Sequence, residues 1–276
     1  MIHDEDLKSS IDYSVGQKEA AHRILIELVN LLREYEDDMR VVGGWVPDLM
    51  FPEENHVGSV DVDVLINHLT LQNSGYQSLA KILLKNRYEE HPEKYFSFIK
   101  DVVINGITYS VDVDILAGMY GGTVIKKRSQ HVQGMRALKA TGGNYAFEFS
   151  PQKIKLEAKR PDGAIDVATV NVVAVVPYII MKTAAMGRGK AKDAYDIYFV
   201  IKHYIGGVEQ LAKEFTGLRE KQIIRDMKQN LTDKFASENH AGPADVADFM
   251  DILDEEEIAM TRRDAYEQIK ALIKLI

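Results

Sequence analysis

Apolar residues recur at helical spacing over 15–35, where Ala21, Ile24, Leu25, Leu28, Leu31 and Leu32 share one face, which predicts an amphipathic first helix. The period then changes. Residues 39–42 read as a short strand running into Gly43-Gly44, and Ser59-Val60-Asp61-Val62-Asp63-Val64 alternates with a period of two. A helix is expected over 71–86, with Leu79, Ile82 and Leu83 inward. Strands 95–104 and 107–116 flank Asn105-Gly106, the strongest short hairpin signal, and a second pair, 153–158 and 164–173, flanks Arg160-Pro161-Asp162-Gly163. Residues 118–143, bracketed by two glycine pairs, read as a connection containing one helix. Beyond 174 the period is helical throughout, over 175–186, 191–204, 208–215, 220–231, 244–253 and 256–275. The fold class expected is α+β: a mixed sheet with an N-terminal helix over 1–173, then a helical domain over 174–276.

The alternation places chemistry on the strands. Asp61 and Asp63 point to one face while Val60, Val62 and Val64 point to the core, and Asp112 and Asp114 repeat the arrangement in Tyr109-Ser110-Val111-Asp112-Val113-Asp114-Ile115-Leu116. Four acids on adjacent strands repel one another unless something neutralises them. Divalent cations do so, and with no cysteine and no paired histidine the oxygen ligands point to Mg2+ or Mn2+ rather than zinc. Gly43 and Gly44 allow a turn that brings backbone N–H groups near a phosphate where a helix at 45–50 begins. The competing reading is a solvent-facing acidic strand after an ordinary turn.

Composition narrows the classes. With 276 residues, 46% of them hydrophobic, the chain can bury a sizeable core, and the absence of cysteine excludes a disulfide framework and a thiolate site. Met1-Ile2-His3-Asp4-Glu5-Asp6 lacks the basic start and apolar run of a secretory signal, and no stretch is apolar enough to span a bilayer, so a cytoplasmic location is expected. The net charge of −8 argues against a general nucleic-acid coat, but its distribution is uneven. Residues 126–160 hold nine lysines and arginines against two acids, whereas 238–257 hold eight acids and neither lysine nor arginine. The first stretch suits nucleotide or RNA phosphates, the second solvent or a basic partner.

The order Gly43-Gly44, then Asp61-Val62-Asp63 on a strand, then a further acid at Asp114 or Asp112 resembles the DNA polymerase beta-like nucleotidyltransferase superfamily. Met181-Lys182 and Gly189-Lys190-Ala191-Lys192-Asp193-Ala194-Tyr195-Asp196-Ile197-Tyr198 are similar to the lysine-rich helix of the AbiEii/AbiGii-type toxins, the enzymes of abortive-infection toxin–antitoxin systems. The resemblance implies a transferase that moves a nucleoside monophosphate from an NTP to a hydroxyl acceptor, with Asp61, Asp63 and a third acid, Asp114 before Asp112, as metal ligands. It implies that Gly43, Gly44, Ser59, Lys182, Lys190, Lys192, Asp193 and Asp196 serve the nucleotide, the helical domain completing the active site. The acceptor expected is RNA, tRNA in particular, or protein, with a separately encoded antitoxin as partner and no membrane. The alternatives are a small-molecule transferase of the antibiotic-modifying kind and a non-catalytic binding module on the same fold. His56 is expected to be a polar surface residue, and Tyr195 and Tyr198 to pack in the core.

Overall fold

The computed structural model describes residues 7–67, 79–118, 129–132 and 135–276, and its contacts divide them into two compact units. The sheet unit is drawn from Tyr13–Met50 and Gly58–Ala174; the helical unit takes 7–12, Phe51–Val57 and Val175–Ile276. The division therefore adds to the helical unit a short excursion from within the sheet unit's stretch of sequence.

The sheet unit opens with α1, Val15–Leu31, whose N-terminus is capped by Ser14 accepting from the Gln17 N–H at 3.2 Å. Its apolar stripe does what its spacing predicts: Ala21, Ile24, Leu25 and Leu28 are fully buried, and the helix packs on strands of the sheet. The sheet comprises β1 (Met39–Val42), β2 (Val62–Ile66), β3 (Glu89–Glu90), β4 (Ser97–Ile104), β5 (Ile107–Gly118), β6 (Ser129–Val132), β7 (Met135–Ala140), β8 (Gln152–Lys159) and β9 (Ile165–Val172). Two short helices lie between strands, α2 (Trp45–Met50) and α3 (Leu79–Lys85). The strand order is β3-β4-β5-β2-β1-β9-β8, with β7 joining β5 where β4 ends and β6 pairing with β7. Pairing is mixed: β2–β5, β1–β9 and β5–β7 are parallel, and the others are antiparallel.

The hairpin turns behave as their residues dictate. Asn105 and Gly106 take φ of 51° and 81°, the two left-handed residues of the turn that matches strand twist, and β4 and β5 pair in register from Ile104↔Ile107 to Ser97↔Asp114. Of the helix expected over 71–86, α3 is the part within the described residues. Of the connection expected to contain a helix, 119–128 and 133–134 lie outside the described residues, and Ser129–Val132 and Met135–Ala140 form the antiparallel strands β6 and β7. Glycine pairs punctuate a loop without specifying what lies between them, and β7 is held by parallel pairing with β5, a long-range contact that local periodicity does not report.

The helical unit is built on α4 (Val175–Ala185), α5 (Ala191–His203), α6 (Gly207–Glu214), α7 (Gln222–Lys234), α8 (Ala241–Phe249) and α9 (Glu255–Leu275). Helix α5 packs against α4, α6, α8 and α9, and Ile197, Val200, Phe215, Phe249 and Ile269 are buried. The start of α9 is set by Asp254, which accepts from the Glu257 N–H at 2.9 Å, and by three glutamates in the first turn that suit the positive end of the helix dipole. The Phe51–Val57 excursion is pinned to α5 by rings, Phe51 on Phe199 and His56 on Tyr195 and Phe199. Among the described residues no helix is long and apolar enough to cross a membrane.

Truncating a side chain under the sheet tests the α1 interface. Ile24→Ala removes a fully buried side chain and is expected to destabilise the sheet unit by about 3 kcal/mol. Urea unfolding followed by fluorescence of Trp45, the lone tryptophan and a buried residue of that unit, measures it.

Candidate functional site

Strand register assembles a row of side chains across the middle of the sheet. In the parallel pair Asp63 of β2 lies opposite Asp114 of β5, and in the antiparallel pairs Ser97 of β4 lies opposite Asp114 and Val42 of β1 opposite Asp63. Alternation fixes the face. Tyr109 of β5 lies against Gly16 of α1 and Lys100 of β4 reaches Glu27 of α1, so Asp112 and Asp114, odd offsets from Tyr109, belong to the face turned away from α1.

Asp114 is the strained member of the row. Burial raises its carboxyl, the Asp61 charge raises it further, and despite the Ser97 hydroxyl and the Lys94 ammonium it sits at about 7. Its Oδ1 is buried with no hydrogen-bond partner. Asp112 differs: its Oδ2 accepts from Lys94 Nζ at 3.0 Å, and His91 Nε2 stands 4.0 Å from its other oxygen. The two acids that sequence reasoning left open are therefore separated by their surroundings, one paired with a lysine and one facing a second carboxylate.

Asp61, immediately before β2, is held at both ends. The buried Ser59 hydroxyl donates to its Oδ1 at 2.5 Å, and Trp45 Nε1 donates to its carbonyl at 2.8 Å. Ser59, expected to serve the nucleotide, thus spends its proton on Asp61. Gly43 has φ of +70°, and a Cβ there would lie 1.9 Å from Asp63 Oδ2. Both the backbone and the carboxylate require glycine at this position. Gly44 follows in the same turn, and α2 begins at Trp45 as expected.

The donor set suits a hard cation. Every candidate ligand is a carboxylate, one buried oxygen lacks a donor, and two of the acids repel. Among the described residues no group of three or more Asp, Glu, His or Cys side chains is already arranged to hold a metal ion. Mg2+ asks for less, since it keeps several waters and binds through one or two carboxylates together with substrate phosphates. A cavity of about 810 Å³ opens elsewhere on the sheet unit, lined by Glu27, Lys85, Arg87, Glu89, Lys100 and Asp162 among others, and none of the row's carboxylates borders it.

The helical unit holds the other predicted residues in a buried ion network. Lys182 Nζ, from α4, lies 2.9 Å from Asp193 Oδ1 and 2.7 Å from Asp196 Oδ2; Lys192 Nζ lies 3.3 Å from Asp196, and His56 Nε2 2.9 Å from Asp196 Oδ1. Arg188 stands 3.5 Å from Asp193 Oδ2. The i, i+3 spacing of Asp193 and Asp196 makes them neighbours on α5, as expected. Burial alone would raise Asp196, but Lys182, Lys192 and His56 outweigh it and hold the carboxyl well below its usual range. Burial would lower Lys182, but Asp193, Asp196 and Tyr178 hold it well above. Burial takes His56 down to about 4 in spite of Asp196, so the ring is neutral and donates from Nε2.

One expectation is corrected here. His56 is 6% exposed and part of the network, not a surface residue. Lys192 is buried against Asp196, and Lys190 occupies the N-cap position of α5, half-buried and without a side-chain capping bond. Tyr195 and Tyr198 are in the core as expected. Sequence reasoning missed Lys94, Ser97, Trp45 and the role of His56. Only Trp45 left a trace, as the lone tryptophan directly after the glycine pair; the others depend on register or on contacts distant in sequence. Comparison with protein-family models, with curated proteins and with solved structures gives no match.

Two measurements follow. In metal-free protein Asp114 holds its proton up to about pH 7 when folded, whereas unfolded it ionises near pH 3.9. The folded state binds more protons in that window, so this group's contribution to stability falls as pH rises from 4 to 7 and levels off above. Asp114→Asn is expected to remove that slope and to be the more stable protein at pH 8, in urea unfolding with chelator present. Separately, Asp196→Ala leaves Lys182 and Lys192 buried with less compensation and is expected to cost about 3–5 kcal/mol in the helical unit, read as earlier loss of helical circular dichroism on heating.

Proposed function

We propose that the carboxylate row of β2 and β5 is the centre of a metal-dependent nucleotidyltransferase, moving a nucleoside monophosphate from an NTP to a hydroxyl acceptor. The observation that carries this reading is the register pairing of Asp63 with Asp114, in which the buried Asp114 Oδ1 has no donor and feels the Asp61 charge. Asp61, Asp63 and Asp114 are the residues that would hold Mg2+ or Mn2+, which supply Lewis acidity at the phosphate oxygens in such transfers. The Ser59 and Trp45 contacts keep Asp61 in place before substrate arrives, and Gly43 leaves room beside Asp63 that any side chain would fill.

In the reaction proposed, the acceptor hydroxyl oxygen forms a bond to the α-phosphorus and the bond from that phosphorus to the bridging oxygen breaks, releasing pyrophosphate. Asp114, the third carboxylate, opposite Asp63 in the register, is the group we assign to orienting the acceptor hydroxyl or taking its proton. Asp112 is assigned to its pair with Lys94 instead. The reading rests on the sheet unit alone; Lys182, Lys192, Asp193 and Asp196 are assigned to holding α4 and α5 together. The resemblance to AbiEii/AbiGii toxins extends the proposal to an RNA acceptor and to growth arrest relieved by a separately encoded antitoxin.

The test is transfer itself. Wild-type protein with Mg2+, each labelled nucleoside triphosphate in turn and a cell extract is expected to label a macromolecule, and Asp63→Ala to reduce labelling by more than about 10²-fold, the scale of removing one preorganised electrostatic contact. Thermal unfolding of the variant should stay at or above that of wild type, because one charge leaves a repelling cluster. Labelling by Asp63→Ala at the wild-type rate would remove the row from the chemistry.

A further inference from the structure

The hairpin of β8 and β9 carries a lysine face that the carboxylate row does not use. Along β8 exposed and half-buried residues alternate, so Lys153, Lys155, Glu157 and Lys159 share the exposed face while Ile154, Leu156 and Ala158 are turned inward. Register adds Thr169 beside Lys155, Val167 beside Glu157 and Ile165 beside Lys159, all exposed. Among the described residues none of the three lysine side chains makes a hydrogen bond or an ion pair. Arg160, at the end of the strand, differs: its guanidinium is matched by Asp162 and Asp166.

We propose that this face docks the backbone of a single-stranded RNA, and the proposal rests on the nucleotidyltransferase reading only in supposing that the RNA is the acceptor. Alternate residues of a strand are about 6.7 Å apart, close to the repeat of successive phosphates in an extended polynucleotide. Lys153 and Lys155 stand at that repeat and Lys159 at twice it from Lys155, beyond Glu157, so the face keeps a net positive charge in a chain of net charge −8 and fits such a backbone. The face is open, which suits a single strand laid on a sheet better than a duplex, whose groove calls for an inserted element. The Thr169 hydroxyl next to Lys155 can pair with a ribose 2′-hydroxyl, the group by which RNA is told from DNA. Glu157 sits within the row and weakens it, which makes the proposal testable in both directions.

The competing account is that lysines on the last strand of the sheet path guard an edge against pairing with other chains. Fluorescence anisotropy of a labelled single-stranded oligoribonucleotide of mixed sequence, without metal or triphosphate, separates the two. Full-length Lys153→Gln, Lys155→Gln, Lys159→Gln protein is expected to bind on the order of tenfold more weakly at low salt, with its salt slope reduced by about 2, the share of three phosphate contacts on a single strand. Glu157→Lys is expected to bind more tightly, with the slope steepened by about 0.7. The deoxyribonucleotide of the same sequence should bind more weakly than the RNA. The proposal is overturned if wild type does not bind, if the triple variant binds as wild type and only aggregates more readily, or if lysine-dependent binding is seen to phosphatidylserine-containing vesicles and not to RNA. Asp63→Ala separates docking from chemistry: RNA binding at wild-type strength in this assay, together with loss of transfer in the labelling reaction with Mg2+ and triphosphate, supports the face, whatever becomes of the catalytic reading.

Discussion

The parallel pairing of β2 with β5 is the constraint on which the candidate site depends. Successive side chains on a strand alternate between faces, so a slip of one residue would place Val62 or Val64 opposite Asp114 and turn the acids of β2 towards the core. The register is held from both sides of the acids. Val62, Val64, Val113 and Ile115 are fully buried on the other face, and the Asn105-Gly106 turn fixes β5 against β4. The repulsion built into the row is thus sustained by packing beneath it, and it is tolerable because the hydrophobic term for four buried branched side chains, about 1.5–3 kcal/mol each, is the larger.

The two units treat charge in opposite ways. In the helical unit Asp196 is met by two lysines and a neutral histidine that donates to it, so the network is buried and balanced, and such networks serve to specify one packing of helices rather than to add much stability over apolar residues. In the sheet unit the contest at Asp114 goes the other way: burial and the Asp61 charge outweigh the Ser97 hydroxyl and the Lys94 ammonium, and the carboxyl is raised.

Much of this was legible in the chain. The strand boundaries at Met39–Val42 and Ile107, the hairpin at Asn105-Gly106 and the six helices of the second unit follow from periodicity and turn chemistry, which act over a few residues. The pairing of Asp63 with Asp114 was legible as composition on a face but not as geometry, because no local rule says which strands are neighbours. Lys94, which distinguishes Asp112 from Asp114, sits in a loop ahead of β4 and reaches Asp112 only through the fold. His56 was misread for the same reason: a histidine in a loop looks exposed until the helix that covers it, 140 residues away in sequence, is in place.

The excursion of Phe51–Val57 bears on how this protein came to have two parts. Among the described residues the chain passes between its units after residues 12, 50, 57 and 174, so neither unit is a continuous stretch. A gene fragment ending at 174 would encode the sheet with Phe51 and His56 deprived of their rings, and one starting at 175 would encode Asp196 without the histidine that completes its shell. Two ancestral modules joined end to end would meet at one junction. The crossings among the described residues describe instead a polypeptide whose halves are interleaved, so that insertion, loss or exchange of either half must carry part of the other with it.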